Sequence, residues 1–173
     1  LRVYEWDLVQ SGRVYGSIAM LAGSAGVLSG PFVLRYMSKI NVNAPHFKLA
    51  IIGITMATFS LVLLPFQPNV NIALVFVTMA SFFVTLPLAG TSSAMVIVSP
   101  NRIRGVITGI YVVVTSVFGL VLGPFLVASS TDFIFQDTNA IAKSLALVSV
   151  LVGPVGIFFM FKGINSFGEI KNV

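Results

Sequence analysis

Two short basic stretches hold the side chains best placed to act on another chemical group. In SPNRIRG, residues 99–105, Arg102 and Arg104 stand two positions apart between Pro100 and Gly105. In GPFVLRYMSK, residues 30–39, Arg35 and Lys39 follow Gly30 one helical turn apart. Guanidinium and ammonium groups so spaced can pair with carboxylates or with the carbonyls at a helix C-terminus. Acid–base and covalent chemistry have far less to draw on. Cysteine is absent, His46 is the sole histidine, and hydroxyls without a neighbouring base are inert nucleophiles. The residues therefore predict no enzyme, no metal and no cofactor.

The elements that must carry these loops are read from composition. The chain has 173 residues, 57% hydrophobic and 9% charged, whereas a soluble domain carries roughly 25% charged side chains. It cannot cover a water-facing surface, and the prediction is an all-α integral membrane protein. A net charge of +5 does not point to nucleic acid, because the basic residues are scattered between apolar runs instead of lining one face. Nor do recurring long runs match a cleaved signal peptide, which has a single short apolar core.

Apolar runs cover residues 14–34, 47–66, 70–98, 105–129 and 140–162. At about 1.5 Å per residue, each approaches or exceeds the ~30 Å of a bilayer core, which predicts about five transmembrane helices. Pro87 cannot donate an amide to Phe83, so the third helix should bend at LPLAG. PFQPN, residues 65–69, is a tight turn. Residues 1–13 form a polar segment whose Tyr4 and Trp6 suit a headgroup interface. Residues 14–165 form the helical bundle and residues 166–173 a tail. Because the chain starts with Leu, it is expected to be a fragment with its natural beginning upstream. Loops rich in Lys and Arg alternate with a loop lacking them and one dominated by Asp132 and Asp137. The positive-inside rule then places the basic loops and the C-terminus in the cytoplasm of a multi-pass cell-membrane protein. Asp132 and Asp137 read as helix caps or solvated residues, and His46 as a solvated loop residue.

The sequence PNRIRG followed by GIYVVVTSVFGLVLGPFLVASSTDFIF resembles the tenth-to-eleventh loop and eleventh helix of major facilitator superfamily transporters. Within that superfamily it looks most like the Spinster-related branch, through Pro100, Arg104, Gly105, Gly119, Leu120, Gly123 and Pro124. GPFVLRYMSK is similar to the superfamily's G-x-x-x-D-R-x-G-x-K signature. Gly30, Arg35 and Lys39 hold their places, while Leu34 replaces the acid of the charge relay and Met37 the second glycine. The resemblance implies helices eight to twelve of a twelve-helix fold. It also implies a missing N-terminal half as partner, and alternating access to a small-molecule substrate.

Gly26 with Gly30, Gly105 with Gly109, and Gly119 with Gly123 are small-xxx-small pairs, at which helices in lipid approach closely. They can pack this chain's own bundle or, by resemblance, the opposite half. The resemblance further implies that Ser24, Thr85 and Thr115 face a substrate cavity, although hydroxyls within helices commonly bond the preceding turn. It makes Arg35, Lys39, Arg102 and Arg104 candidates for a cytoplasmic latch. No Asp, Glu, Lys or Arg lies mid-span, which suits an amphipathic or lipid-like substrate and leaves any proton-coupling group in the missing half. A multi-pass scaffold or receptor-like subunit without transport activity is the alternative.

Overall fold

A computed structural model describes residues 7–88, 90, 91, 95, 99–136 and 140–170. All regular structure among the described residues is helical. Four helices are long and apolar enough to cross a membrane.

Helix α1 (Leu8–Lys39) begins ahead of the first apolar run. Its exposed Tyr15 and Tyr36 lie about 31 Å apart along the axis, close to one hydrocarbon thickness, as expected of interfacial anchors. Asn41, at φ 54°, closes the helix, with its amide donating to the Ser38 carbonyl and the Val42 amide to that of Met37. Pro45 opens α2 (Pro45–Leu63) at a position where no amide is needed. A 3-10 turn (Leu64–Phe66) leads through Pro68 to α3 (Val70–Thr85), whose N-cap Asn69 accepts from the Asn71 amide at 2.9 Å.

As the proline rule predicts, regular helix stops at Thr85; Leu86 and Pro87 form a turn, and helical geometry resumes at Leu88. The expected third span is thus divided, and its first part is only 16 residues long. Helix α4 is a continuous rod over Arg104–Phe135. It is α-helical to Val117, π-helical over Phe118–Leu122, α-helical over Gly123–Ser129 and π-helical again over Ser130–Phe135. Gln136, at φ 49°, ends it. The last helix, α5 (Ile141–Ile170), passes through Pro154 and runs beyond the expected end near Lys162.

Helix α2 is the centre, packed against α3 and α5, while α1 lies mainly on α3. Glycines set these distances. A β-carbon on Gly26 would collide with the Thr85 hydroxyl and the Phe82 carbonyl, and one on Gly53 would lie 2.7 Å from the Phe83 carbonyl oxygen. Along α2 and α5, Thr58 meets Gly153, Ile54 meets Gly156 and Phe47 meets Gly163, an antiparallel register. Leu34, Leu49 and Leu86 form the buried cluster, bordered by Met37 and by Phe82 and Phe83 in edge-to-face contact at 5.3 Å. Leu34, at the position of the acid in the resembled signature, is therefore a core residue. A charge there would be buried beside Leu49 and Leu86.

Adding one methyl group should separate the two kinds of glycine. Gly53→Ala is expected to destabilise the bundle by about 1–3 kcal/mol. Gly109→Ala, where nothing lies within 4 Å of the added carbon, should leave stability unchanged or raise it by up to about 1 kcal/mol, the helix-propensity gain of alanine over glycine. Unfolding titrations in mixed micelles measure both, and equal losses would contradict the packing described.

Candidate functional site

The antiparallel course of the chain sorts its charges. Arg35 and Lys39 close α1, Lys48 lies in the first turn of α2, Arg102 and Arg104 open α4, and Lys162 lies beside the Phe47–Gly163 contact. All belong to one end of the bundle, where Glu169 also lies, near the end of α5. Asp7 and Asp132 lie at the opposite end with Arg13 and Lys143. Asp132 is exposed within the last π-helical turn, whereas Asp137, Tyr4, Trp6 and Lys171 fall outside the described residues.

Most basic side chains at the crowded end are exposed, Arg35, Lys39 and Arg102 among them. Arg104 differs, because it is half-buried and its Nε has no hydrogen-bond partner within the described structure. Its carbonyl accepts from the Thr108 hydroxyl at 2.9 Å. Pro100 is exposed, and its carbonyl accepts the Ile103 amide at 3.1 Å, which makes the turn that delivers Arg104 to the start of α4. His46 departs from the solvated-loop expectation. It is the second residue of α2, half-buried, with Nδ1 buried and unpartnered against Gly90, in the neighbourhood of Leu34 and Leu49.

The three residues expected to line a cavity are not brought together. Thr85 joins α1 to α3, since its hydroxyl lies 3.0 Å from the Gly23 carbonyl and within 3.1 Å of the Ser81 and Phe82 carbonyls. Its oxygen is thus engaged in helix packing. Thr115 is exposed and bonds the Tyr111 carbonyl of its own helix at 2.8 Å, and Ser24 is exposed on α1. The simpler reading of these hydroxyls, satisfaction by a neighbouring turn, accounts for Thr85 and Thr115.

No protein family, curated protein or solved structure matches this chain. The site is accordingly defined by its own geometry. Among the described residues no group of three or more His, Asp or Glu side chains could hold a metal ion.

The glycines divide sharply. Gly26 and Gly30 are buried, and Gly26 is filled from α3, so the small pair on α1 packs within this chain. Gly105, Gly109, Gly119 and Gly123 on α4 meet nothing within 4 Å, and none of that helix's most apolar stretch is buried. Pro124 is likewise exposed.

Two contacts fasten α4, and sequence reasoning had singled out neither. Near the basic end the Tyr111 hydroxyl lies 3.4 Å from Thr91 Oγ1. At the other end Thr131 Oγ1 donates to Ser144 Oγ at 2.8 Å, both residues being buried. A hydroxyl amid an apolar run, as Ser144 is in IAKSLAL, is the only signal that marks the second pair.

Removing the Thr131–Ser144 bond should loosen the end of α4 that lies away from the basic residues. A double-mutant cycle with Thr131→Val and Ser144→Ala is expected to give a coupling of about 0.6–1.7 kcal/mol in micellar unfolding titrations. Zero coupling would mean that the bond does not hold the helix.

Proposed function

We propose that this chain is the C-terminal half of a secondary active transporter of the major facilitator kind, working by alternating access, with its basic end in the cytoplasm. One observation carries the reading: the small-residue face of α4 is empty, whereas Gly26 on α1, Gly53 on α2 and Gly153 and Gly163 on α5 are filled by neighbouring helices. In lipid, a helix face of this kind serves close approach by another helix. The N-terminal half of the transporter supplies that helix. The unpartnered Nε of Arg104 supports the same reading, because it is a buried donor for a carboxylate or helix C-terminus of the opposing half. The remaining basic side chains serve as topology signals or complete the latch.

The substrate in this proposal is amphipathic or lipid-like. No described Asp, Glu, Lys or Arg lies in the middle of a long helix to bind a strongly charged solute. A multi-pass scaffold or receptor-like subunit is the second reading, favoured by the engagement of Thr85 and Thr115 in backbone bonds.

The test uses the product of the complete reading frame that contains these residues, reconstituted in sealed proteoliposomes with radiolabelled amphipathic solutes. Uptake of a chemically unchanged solute is expected. Gly109→Leu should insert normally but lower uptake about tenfold or more, the effect of some 1.4 kcal/mol of lost interaction in the transport cycle. Undiminished uptake by that variant would remove the proposed interface. The absence of uptake for every solute would favour the scaffold.

A further inference from the structure

The two ends of α4 are held unequally, and what lies between them is built to bend. Beyond residue 123 the rod leans on α5, with Ser130 and Thr131 buried and Thr131 bonded to Ser144 at 2.8 Å. Toward the basic end, the described side-chain tie to another element is the Tyr111–Thr91 contact, which at 3.4 Å is long for a bond between hydroxyls. In the middle, Phe118–Leu122 is π-helical, so its wider turns shift the backbone hydrogen-bond register. Pro124 follows at once and has no amide to return to the preceding turn. Among the described residues no packing opposes motion here. Leu120 is 78% exposed, and a side chain at Gly119 or Gly123 would meet nothing within 4 Å.

We propose that residues 118–124 are a hinge, about which the basic-end half of α4 swings while the other half stays clamped to α5. The Tyr111–Thr91 contact is the catch that holds the swinging arm against the chain beyond Pro87. Sharp helix bends arise at prolines and π-bulges, and both occur here within seven residues, whereas Pro31 and Pro154 lie in helices with no described π-turn. A bend of about 20° displaces Val106, some 21 Å along the axis from the hinge, by about 7 Å. That movement opens or closes the side of the bundle at its basic end. The device does not depend on the transporter reading; under that reading it would act as a gate.

The absence of cysteine makes the test direct, because introduced thiols are the only ones to label. Spin labels at Val106→Cys and Val150→Cys report the swinging arm, and labels at Phe133→Cys and Val150→Cys report the clamped one. All three positions are exposed. Pulsed dipolar spectroscopy on the full chain in lipid nanodiscs should give two distances for the first pair, differing by about 7 Å, and one narrow distance for the second. Pro124→Ala, which restores an amide, should collapse the first distribution to a single distance. Tyr111→Phe should move it toward the longer one. A first pair as narrow as the second in the wild-type chain would overturn the hinge, and so would a distribution unchanged by Pro124→Ala. The wild-type comparison decides even if the Pro124 variant fails to fold.

Discussion

Close approach of helix backbones at glycine is the constraint on which the bundle depends. Lipid is as apolar as leucine, so burying a leucine between two helices gains little that the bilayer did not already provide. Contact area and interhelical hydrogen bonds have to supply the difference. At Gly26 the phenylalanine-side backbone of α3 enters the space of a missing side chain, and the same closeness sets the Thr85 hydroxyl on the Gly23 carbonyl. On α2, Gly53 admits the backbone just before the Pro87 turn, so the break in α3 is itself a packed feature. The α2–α5 register rests on Gly153, Gly156 and Gly163, each matched to a larger residue on α2. Position, more than apolar character, distinguishes these residues from their neighbours.

Polar groups follow the same economy. Ser60, Thr78 and Ser149 bond carbonyls four residues back, and Thr108 and Thr115 do likewise. These bonds satisfy hydroxyls where water is absent, and they need no partner from another helix. The exceptions therefore carry more information. Thr85 and the Thr131–Ser144 pair reach across between elements, and each lies where two helices must keep a fixed spacing.

Much of the architecture was legible because it follows from local rules. Four of the five expected apolar runs form membrane-length helices, Pro87 marks the break that divides the remaining one, and the alternation of charge matches the crowding of basic residues at one end. Other features could not be read in this way. The π-helical turns at residues 118–122 and 130–135 change a hydrogen-bond register without a residue type unique to them. Whether Thr85 faces a cavity or a neighbouring helix depends on the rotation of α3 about its axis, and its packing against α1 settles that. His46 was misplaced because Pro45 reads equally as a loop residue or as the first residue of a helix; here it opens α2 and draws the imidazole inward.

The contrast between α1 and α4 shows why a small-residue motif has no single meaning. Both helices carry paired glycines four residues apart, and each glycine in a helix interior costs conformational entropy relative to alanine. On α1 that cost is offset within the chain, by the Thr85 bond and contact with the Phe82 backbone. On α4 no described residue offsets it. Four glycines are spaced along a helix whose described packing is mainly against α5 beyond residue 123, and one of them lies in a π-turn while another follows it beside a proline. Packing among the described residues explains none of the four. Two physical uses remain for a bare backbone in a bilayer, which are approach by another helix and freedom to bend. The stretch over 105–109 has the regular α-geometry that the first use requires, and the stretch over 118–124 has the broken hydrogen-bond ladder that the second requires. One helix can serve both uses because they fall in different turns.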